Sequence, residues 1–464
     1  MRSALLAAAA VAPAGAALVD GFRPPAIPLL TTDPYMQTWL MGDTTTSDVV
    51  RHWDQTPKEM MGLIRVDGTS YRYLGACADA PLPTPTKPGP AKVQPGHNIC
   101  PGSGDISNFP TESADACNEA CYGSADCTAY VLTRGLCYLK SCTSPIVEDP
   151  AASLGVITGT RPAPPPPAGF CALEALQQLS VTVQPTETIF KLRDAASSFD
   201  LTLRFVSSMI ADDYSRLSRP VYRVALELQP LKSIGQAQVY LDFSAQHVVN
   251  EKLEPVEWSK FSAGKLSGVR LGTKAQCVLC AKGDKTNINW GYLYLAPTGA
   301  GGSSRGGSAT AQRAAFAAHG ALPADADLNM PRSVAEDMPA VSAVATMSAE
   351  QDGVAQLSAA FVVAYDDIAS VRYYGTAFRA FWTRTWTTIE DAIEAAAAPS
   401  EVATVASLTD ALNTKLVAEL TAVGGGEYAT IGALAYRCAA FPPCIHECCS
   451  RDLNPPAVAC CTRS

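Results

Sequence analysis

The sequence is short of charge. Only 17% of its 464 residues are Asp, Glu, Lys or Arg, and 35 basic against 44 acidic residues leave a net charge of −9. A nucleic-acid-binding surface needs a basic surplus or a basic stripe, and neither is present. Beyond the N-terminus no run of 18 apolar residues occurs, which argues against a membrane-spanning helix. Asn-x-Ser/Thr is absent, so N-glycosylation is not expected. Histidine is scarce, and His52, His97, His247, His319 and His446 lack metal-ligand spacing. No metal and no cofactor is expected.

What is present is apolar and rich in turns: 47% hydrophobic residues, 33 Gly and 34 Pro, the composition of a globular chain with several linkers. Met1-Arg2-Ser3, the nearly apolar stretch from Ala4 to Ala12 and the small triplet Ala14-Gly15-Ala16 are the parts of a secretory signal, placing a leader at 1–17. Sixteen cysteines suit that destination, because an oxidising compartment turns thiols into bridges. Secretion is the expected localisation.

Two Pro-rich stretches, Pro81 to Pro95 and Arg161 to Gly169, read as extended spacers. With linkers at 77–96 and 161–170, they bracket a cysteine-rich module at 97–160, the arrangement of a small domain inserted into a larger one. Cys77 and Cys171 flank the linkers, and a bridge between them would close the neck. After the second linker, Leu201, Leu203 and Phe205, then Val224, Leu226 and Leu228, then Val239, Leu241 and Phe243 alternate with polar residues. Period-two alternation is the mark of antiparallel strands with one buried face. The expected fold is therefore mainly β: an antiparallel β-sandwich built from residues 18–76 and 171–400. Ala300 to Ser308 (AGGSSRGGS) reads as a flexible surface loop. Ile389 to Ala398 reads as a helix stopped by Pro399. A second helix is expected from about Ser407, with Asp410 completing a capping box and Leu412, Leu416 and Leu420 inward. Gly424 to Gly426 ends it, and a third helix, Glu427 to Ala440, turns Ile431, Leu434 and Ala435 inward.

In the module, Ser113 to Ala120 reads as a helix that sets Cys117 and Cys121 on one face, followed by strands around Cys127 and Cys137. So short a segment needs bridges to hold it. Cysteines four and six residues apart also suit zinc, a reading that an exported protein disfavours. The segment resembles a PAN/Apple domain. That resemblance implies a small disulfide-rich α+β module with pairs Cys121–Cys127, Cys117–Cys137 and Cys100–Cys142, and an extracellular glycan or protein as partner.

Longer stretches carry a second resemblance. RPPAIPLLTTDPYMQTWL from Arg23, RHWDQTPKEMMGLIRVDGTSYRYLG from Arg51, LSRPVYRVALEL from Leu217, WSKFSAGKLSGVRLGT from Trp258, INWGYLYLA from Ile288, MPRSVAEDMPA from Met330, AYDDIASVRYYG from Ala364, FRAFWTR from Phe378 and the run from Asp410 to Arg437 follow in order. Together they resemble the extracellular glutaminase A-like family. The resemblance implies a β-sandwich followed by an α/α-toroid catalytic domain related in shape to six-hairpin glycosidases, and hydrolysis of L-glutamine to L-glutamate and ammonia. A toroid needs about a dozen helices of some 10 to 14 residues each, and the resemblance stops near Arg437. The expectation is thus a short helical stump at 401–441, the truncated start of the toroid, an unassigned Cys-rich tail at 442–464, and a chain inactive by itself. A sugar-acting six-hairpin relative and a glycan- or protein-binding protein are the alternatives.

No catalytic residue can be named from the sequence. Asp212-Asp213 and Asp366-Asp367 are adjacent carboxylates that point to opposite faces of a strand, so turns and contacts to Arg219 and Arg372 are expected of them. Trp290-Gly291-Tyr292-Leu293-Tyr294 is either a substrate platform or a strand whose rings meet a further domain. Cys277 and Cys280 read as a local disulfide or buried thiols. Cys444, His446, Cys448 and Cys449 invite a zinc reading, with random sequence the preferred alternative.

Overall fold

The computed structural model describes residues 24–31, 35–77, 92–95, 97–99, 105–123, 127, 129–141, 146–148, 157–160, 169–280, 287–299, 301–349 and 356–439. The chain divides into two compact units, one formed by residues 1–77 and 169–464 and the other by 78–168. The main unit opens with β1 (Ile27–Leu30), β2 (Thr38–Leu40), β3 (Met60–Val66) and β4 (Thr69–Leu74). The inserted unit holds β5 (Lys92–Pro95), β6 (His97–Ile99), β7 (Asp105–Pro110), α1 (Ala114–Gly123), β8 (Ala129–Thr133), β9 (Leu136–Lys140), β10 (Ile146–Glu148) and β11 (Ile157–Thr160). The main unit resumes with β12 (Gln177–Val183), β13 (Glu187–Arg193), β14 (Phe199–Ser207), α2 (Tyr214–Ser218), β15 (Val221–Pro230), β16 (Ala237–Ser244), β17 (Val256–Ala263) and β18 (Leu266–Thr273). It continues through β19 (Tyr292–Pro297), β20 (Ser303–Ser308), α3 (Ala309–His319), β21 (Pro339–Thr346), β22 (Ser348–Ala349), β23 (Leu357–Asp366), β24 (Val371–Tyr373) and β25 (Thr376–Phe378). Two helices, α4 (Ile389–Ala397) and α5 (Pro399–Ala439), follow.

The main unit contains two large antiparallel sheets. One runs β12-β13-β14-β15-β23-β19-β18-β17, with β22 beside β23; the other runs β20-β21-β16-β3-β4. Alternation explains the strands: β14 is buried at every second residue. Leu201, Leu203 and Phe205, with Leu226, Leu228, Leu295 and Phe361, join Ile64, Val239, Leu241 and Val341 of the smaller sheet in one core. Each such side chain removed from water contributes about 1.5–3 kcal/mol. The opposite face of the larger sheet has its own apolar cluster, in which Val221, Phe261, Tyr294 and Val362 meet Trp382 and the α4 residues Ile389, Ala392 and Ile393. On the outer face of the smaller sheet lies α3. Its Arg313 is buried and forms a two-pronged ion pair with Asp242, at 2.6 and 2.9 Å.

In the inserted unit, α1 packs on a sheet of order β5-β11-β8-β9-β7, while β6 pairs with β10. Its small core combines Tyr130, Leu132 and Leu139 with four half-cystines, and Cys117 is joined to Cys137 and Cys121 to Cys127. Cys100 and Cys142 lie outside the described residues, as do the 1–17 leader and the 442–464 tail. Cys77 and Cys171, both in the main unit, form a bridge with Cα atoms 5.6 Å apart. Beside it, Arg72 and Leu176 are linked by a backbone hydrogen bond of 2.9 Å, so the neck is closed twice.

Three local expectations are corrected. The Gly/Ser-rich run is no free loop: Ser303 to Ser308 pair with β21 as an edge strand, and glycine is required because Trp258 of β17 lies on Gly306, where a Cβ would sit 2.3 Å from the indole. Pro399 stops α4, whose C-cap Ala398 is extended (ψ 131°), as expected, and at the same time starts α5, where its missing N–H is harmless. Ser407 and Asp410 consequently lie inside that helix rather than at its cap. At Gly425 (φ 81°) the helix breaks, as the glycine run suggests. Beyond the break Ala429, Ala433 and Arg437 are buried, whereas Ile431 and Ala435 face outward.

Candidate functional site

A cleft of about 480 Å³ opens between α5 and the outward face of the larger sheet. Its floor is aliphatic: Ile189, Val206, Val221, Ala225 and Val362, the residues that alternate with the core side chains of β13, β14, β15 and β23. Val402, Val405 and Ala406 of α5 form the opposite wall. Charged and amide groups complete the lining. Arg204 lies diagonally between two carboxylates on neighbouring strands, with Glu187 at 3.2 Å and Glu227 at 3.4 Å. Asn413 of α5 accepts hydrogen bonds from the Thr186 backbone N–H and hydroxyl, at 3.1 and 3.0 Å, and donates to Gln184 at 2.9 Å.

The helix is fixed by Glu401. Its carboxylate accepts from Arg216 at 2.9 and 2.8 Å and from the buried Arg219 at 2.9 Å, and the Arg219 guanidinium also lies over Trp386. Burial works to raise the Glu401 carboxyl, but the arginine hydrogen bonds prevail and hold it below its ordinary range. Glu187 goes the other way: burial pushes its carboxyl up, with Arg204 opposing and Asp410 reinforcing. The Asp410 carboxylate accepts no hydrogen bond from any described residue and faces solvent at the rim. Arg437 is wholly buried at the end of α5, where it donates to Thr31 Oγ1 and the Leu29 carbonyl; burial lowers it to about 10.

Of the residues named from the sequence, Arg219 and Asp410 line the cleft, though neither in the role expected of it, and the candidate acid pairs, aromatic run and cysteines lie elsewhere. Asp213 caps α2 and pairs with Arg216 rather than Arg219, while Asp212 is exposed. Asp366 caps the following turn through the Ile368 N–H at 3.0 Å, and burial raises its carboxyl. Neither pair forms an acid/base dyad. Trp290 is buried against Tyr35 and donates to the Ala369 carbonyl at 3.2 Å; Tyr294 is buried against Phe261. These rings are core, neither an open platform nor a bare patch. Cys277 is joined to Cys280. Among the described residues no group of three or more His, Cys, Asp or Glu could hold a metal; the Cys444 to Cys449 run lies outside them. Gly302-Ser303-Ser304-Arg305-Gly306 has nucleophile-elbow spacing that the loop reading obscures, but Ser304 sits within a strand, paired with Ala343, and not at a strand-to-helix turn.

The cleft residues were not foreseen as a site. Their signal was the set of polar positions between the alternating apolar ones; strand register, which brings Glu187, Arg204 and Glu227 together, is not written in either strand alone.

The model of a domain of unknown function, DUF5127, matches residues 186–418, half of the chain and nearly all of the cleft lining. The chain belongs to the DUF5127 family. A second domain of unknown function, DUF4964, matches residues 7–81 of this DUF5127 protein. No curated protein matches it. A solved structure described as "Putative kojibiose phosphorylase from human microbiome" aligns with 84% of this chain and 35% of its own, at 8% identity and a TM-score of 0.28. The DUF5127 chain thus spans about a third of that protein's length. Neither family description names an activity, a glutaminase or a PAN/Apple module. Among the described residues no helix is long and apolar enough to cross a membrane.

Proposed function

We propose that this chain is the non-catalytic β-sandwich portion of a secreted enzyme related to the six-hairpin glycosidases, acting on sugars, with residues 401–441 opening its helical domain. The observation that carries this reading is α5. Glu401 clamps it to Arg216 of α2 and Arg219 at that helix's C-cap, yet Val423, Tyr428 and Ile431 stand exposed on it. An outward apolar helix face is what a further helical layer would cover. The carboxylates of the cleft that lie against the sheet are held by Arg204, which suits binding better than proton transfer. Residues 97–160, with their bridged helix and strands, act on this reading as a PAN/Apple-like module for an extracellular glycan or protein. A second reading, hydrolysis of the side-chain amide of glutamine, draws on the ordered stretches between Arg23 and Arg437.

The test is an assay of the purified 464-residue protein with L-glutamine and with glucosyl disaccharides, with and without inorganic phosphate. No ammonia, glucose or sugar phosphate is expected. Ammonia release would establish the glutamine reading, and release of sugar would overturn the non-catalytic assignment.

A further inference from the structure

We propose that the cleft between the larger sheet and α5 is a binding site for a neutral sugar of one or two rings. This assignment rests on the sugar-directed reading above and gives it a place on the protein. At about 480 Å³ the cleft falls within the range of small-molecule sites, roughly 300–1,000 Å³. Its lining carries three arginines, Arg204, Arg219 and Arg223, and three acids, Glu187, Glu227 and Asp410. Those charges balance. A phosphate or nucleotide would need a positive surplus, and a cation the reverse.

A sugar hydroxyl both donates and accepts, so it needs carboxylates, amides and hydroxyls in the same wall. Asp410, Asn413 and Thr414 supply these along successive turns of α5, facing Glu187 and Glu227 on the sheet. Between them the aliphatic floor gives the C–H face of a sugar ring an apolar surface to lie on. The site is preformed: Glu401 holds the near end of α5 and the Asn413 hydrogen bonds hold its middle, so little ordering cost attends binding. Asp410 is the available acceptor, because Glu187 and Glu227 are already engaged by Arg204.

Saturation-transfer NMR on the 464-residue protein tests this with maltose and cellobiose as sugars, inorganic phosphate as an anion and L-glutamine as a zwitterion. Transfer to at least one disaccharide is expected, with affinity reduced tenfold or more by Asp410→Leu. Asp410 faces solvent, and urea unfolding of the variant verifies the fold. Absence of transfer to either disaccharide, transfer unchanged in Asp410→Leu, or binding of phosphate or glutamine in place of sugar would each overturn the assignment. Turnover by the wild-type chain would refute the non-catalytic reading while leaving the Asp410-dependent binding result intact, so the two failures are separable.

Discussion

Replacing Lys58 by Met should make the protein more stable at neutral and acidic pH and less stable in strong alkali. Lys58 is 2% exposed. Its ammonium donates to the Gln246 carbonyl, and Asp54 and Glu254 attract it, yet burial dominates and lowers it from the ordinary 10.5 to about 7. The neighbouring His247 is kept neutral by the same burial, with the charge on Lys58 as a second cause, and adds no compensating charge. At pH 6 the lysine is protonated in both folded and unfolded chains, and at about 1.4 kcal/mol per tenfold change in proton affinity its burial costs about 5 kcal/mol. Between pH 7 and 10.5 the unfolded chain binds the extra proton, so wild-type stability rises with pH and the cost fades. Met fills a similar volume but abandons the Gln246 carbonyl, a loss of about 1–3 kcal/mol. The variant should therefore exceed wild type by about 2–4 kcal/mol at pH 6 and fall below it above about pH 9. Urea unfolding of both proteins at pH 6, 8 and 10 measures this difference, in which titrating groups remote from Lys58 cancel. A difference independent of pH, or a less stable variant at pH 6, would refute the reasoning.

Other expectations follow from single features. Glu401→Ala leaves the 2%-exposed Arg219 side chain without its carboxylate and should destabilise by about 3–5 kcal/mol in urea unfolding. Since the Glu401 carboxyl is held below its ordinary 4.5, part of the stabilisation is present above that pH and fades as the pH falls below it; the gap between wild type and variant should narrow in acid. Gly306→Ala drives a methyl into the Trp258 indole and should lower stability by about 1–3 kcal/mol, accompanied by a change in tryptophan fluorescence. Replacing residues 78–168 by two or three Gly/Ser residues should leave the main unit folded with an unchanged unfolding midpoint within error, because the Cys77–Cys171 bridge, with Cα atoms 5.6 Å apart, already ties the chain together beside the cut; aggregation of that deletion would count against it.

Where one face of a strand is wet and the other buried, as in β14 and β15, alternation made the strand legible. β3 is buried on nearly every residue, so its sequence MMGLIRV carries no such period. The edge strand β20 was hidden for the opposite reason: close approach of a tryptophan selects glycines that look like a linker. Pro399 was ambiguous because proline ends one helix and begins the next equally well. As for the site, each of Glu187, Arg204 and Glu227 is visible as a polar position, but their meeting depends on the register of three strands. The apolar wall that makes a cleft of them comes from a helix some 180 residues further along.

The position of the insertion also sets the order in which the main unit can assemble on the ribosome. β3 pairs with β4 and with β16, and the latter is made some 170 residues later. At about 5–20 residues per second this is a wait of roughly 10–30 seconds. Throughout it a strand with apolar side chains on both faces has no long-range partner, while the whole intervening unit emerges. Newly made β3 is thus the segment for which a chaperone would compete with aggregation.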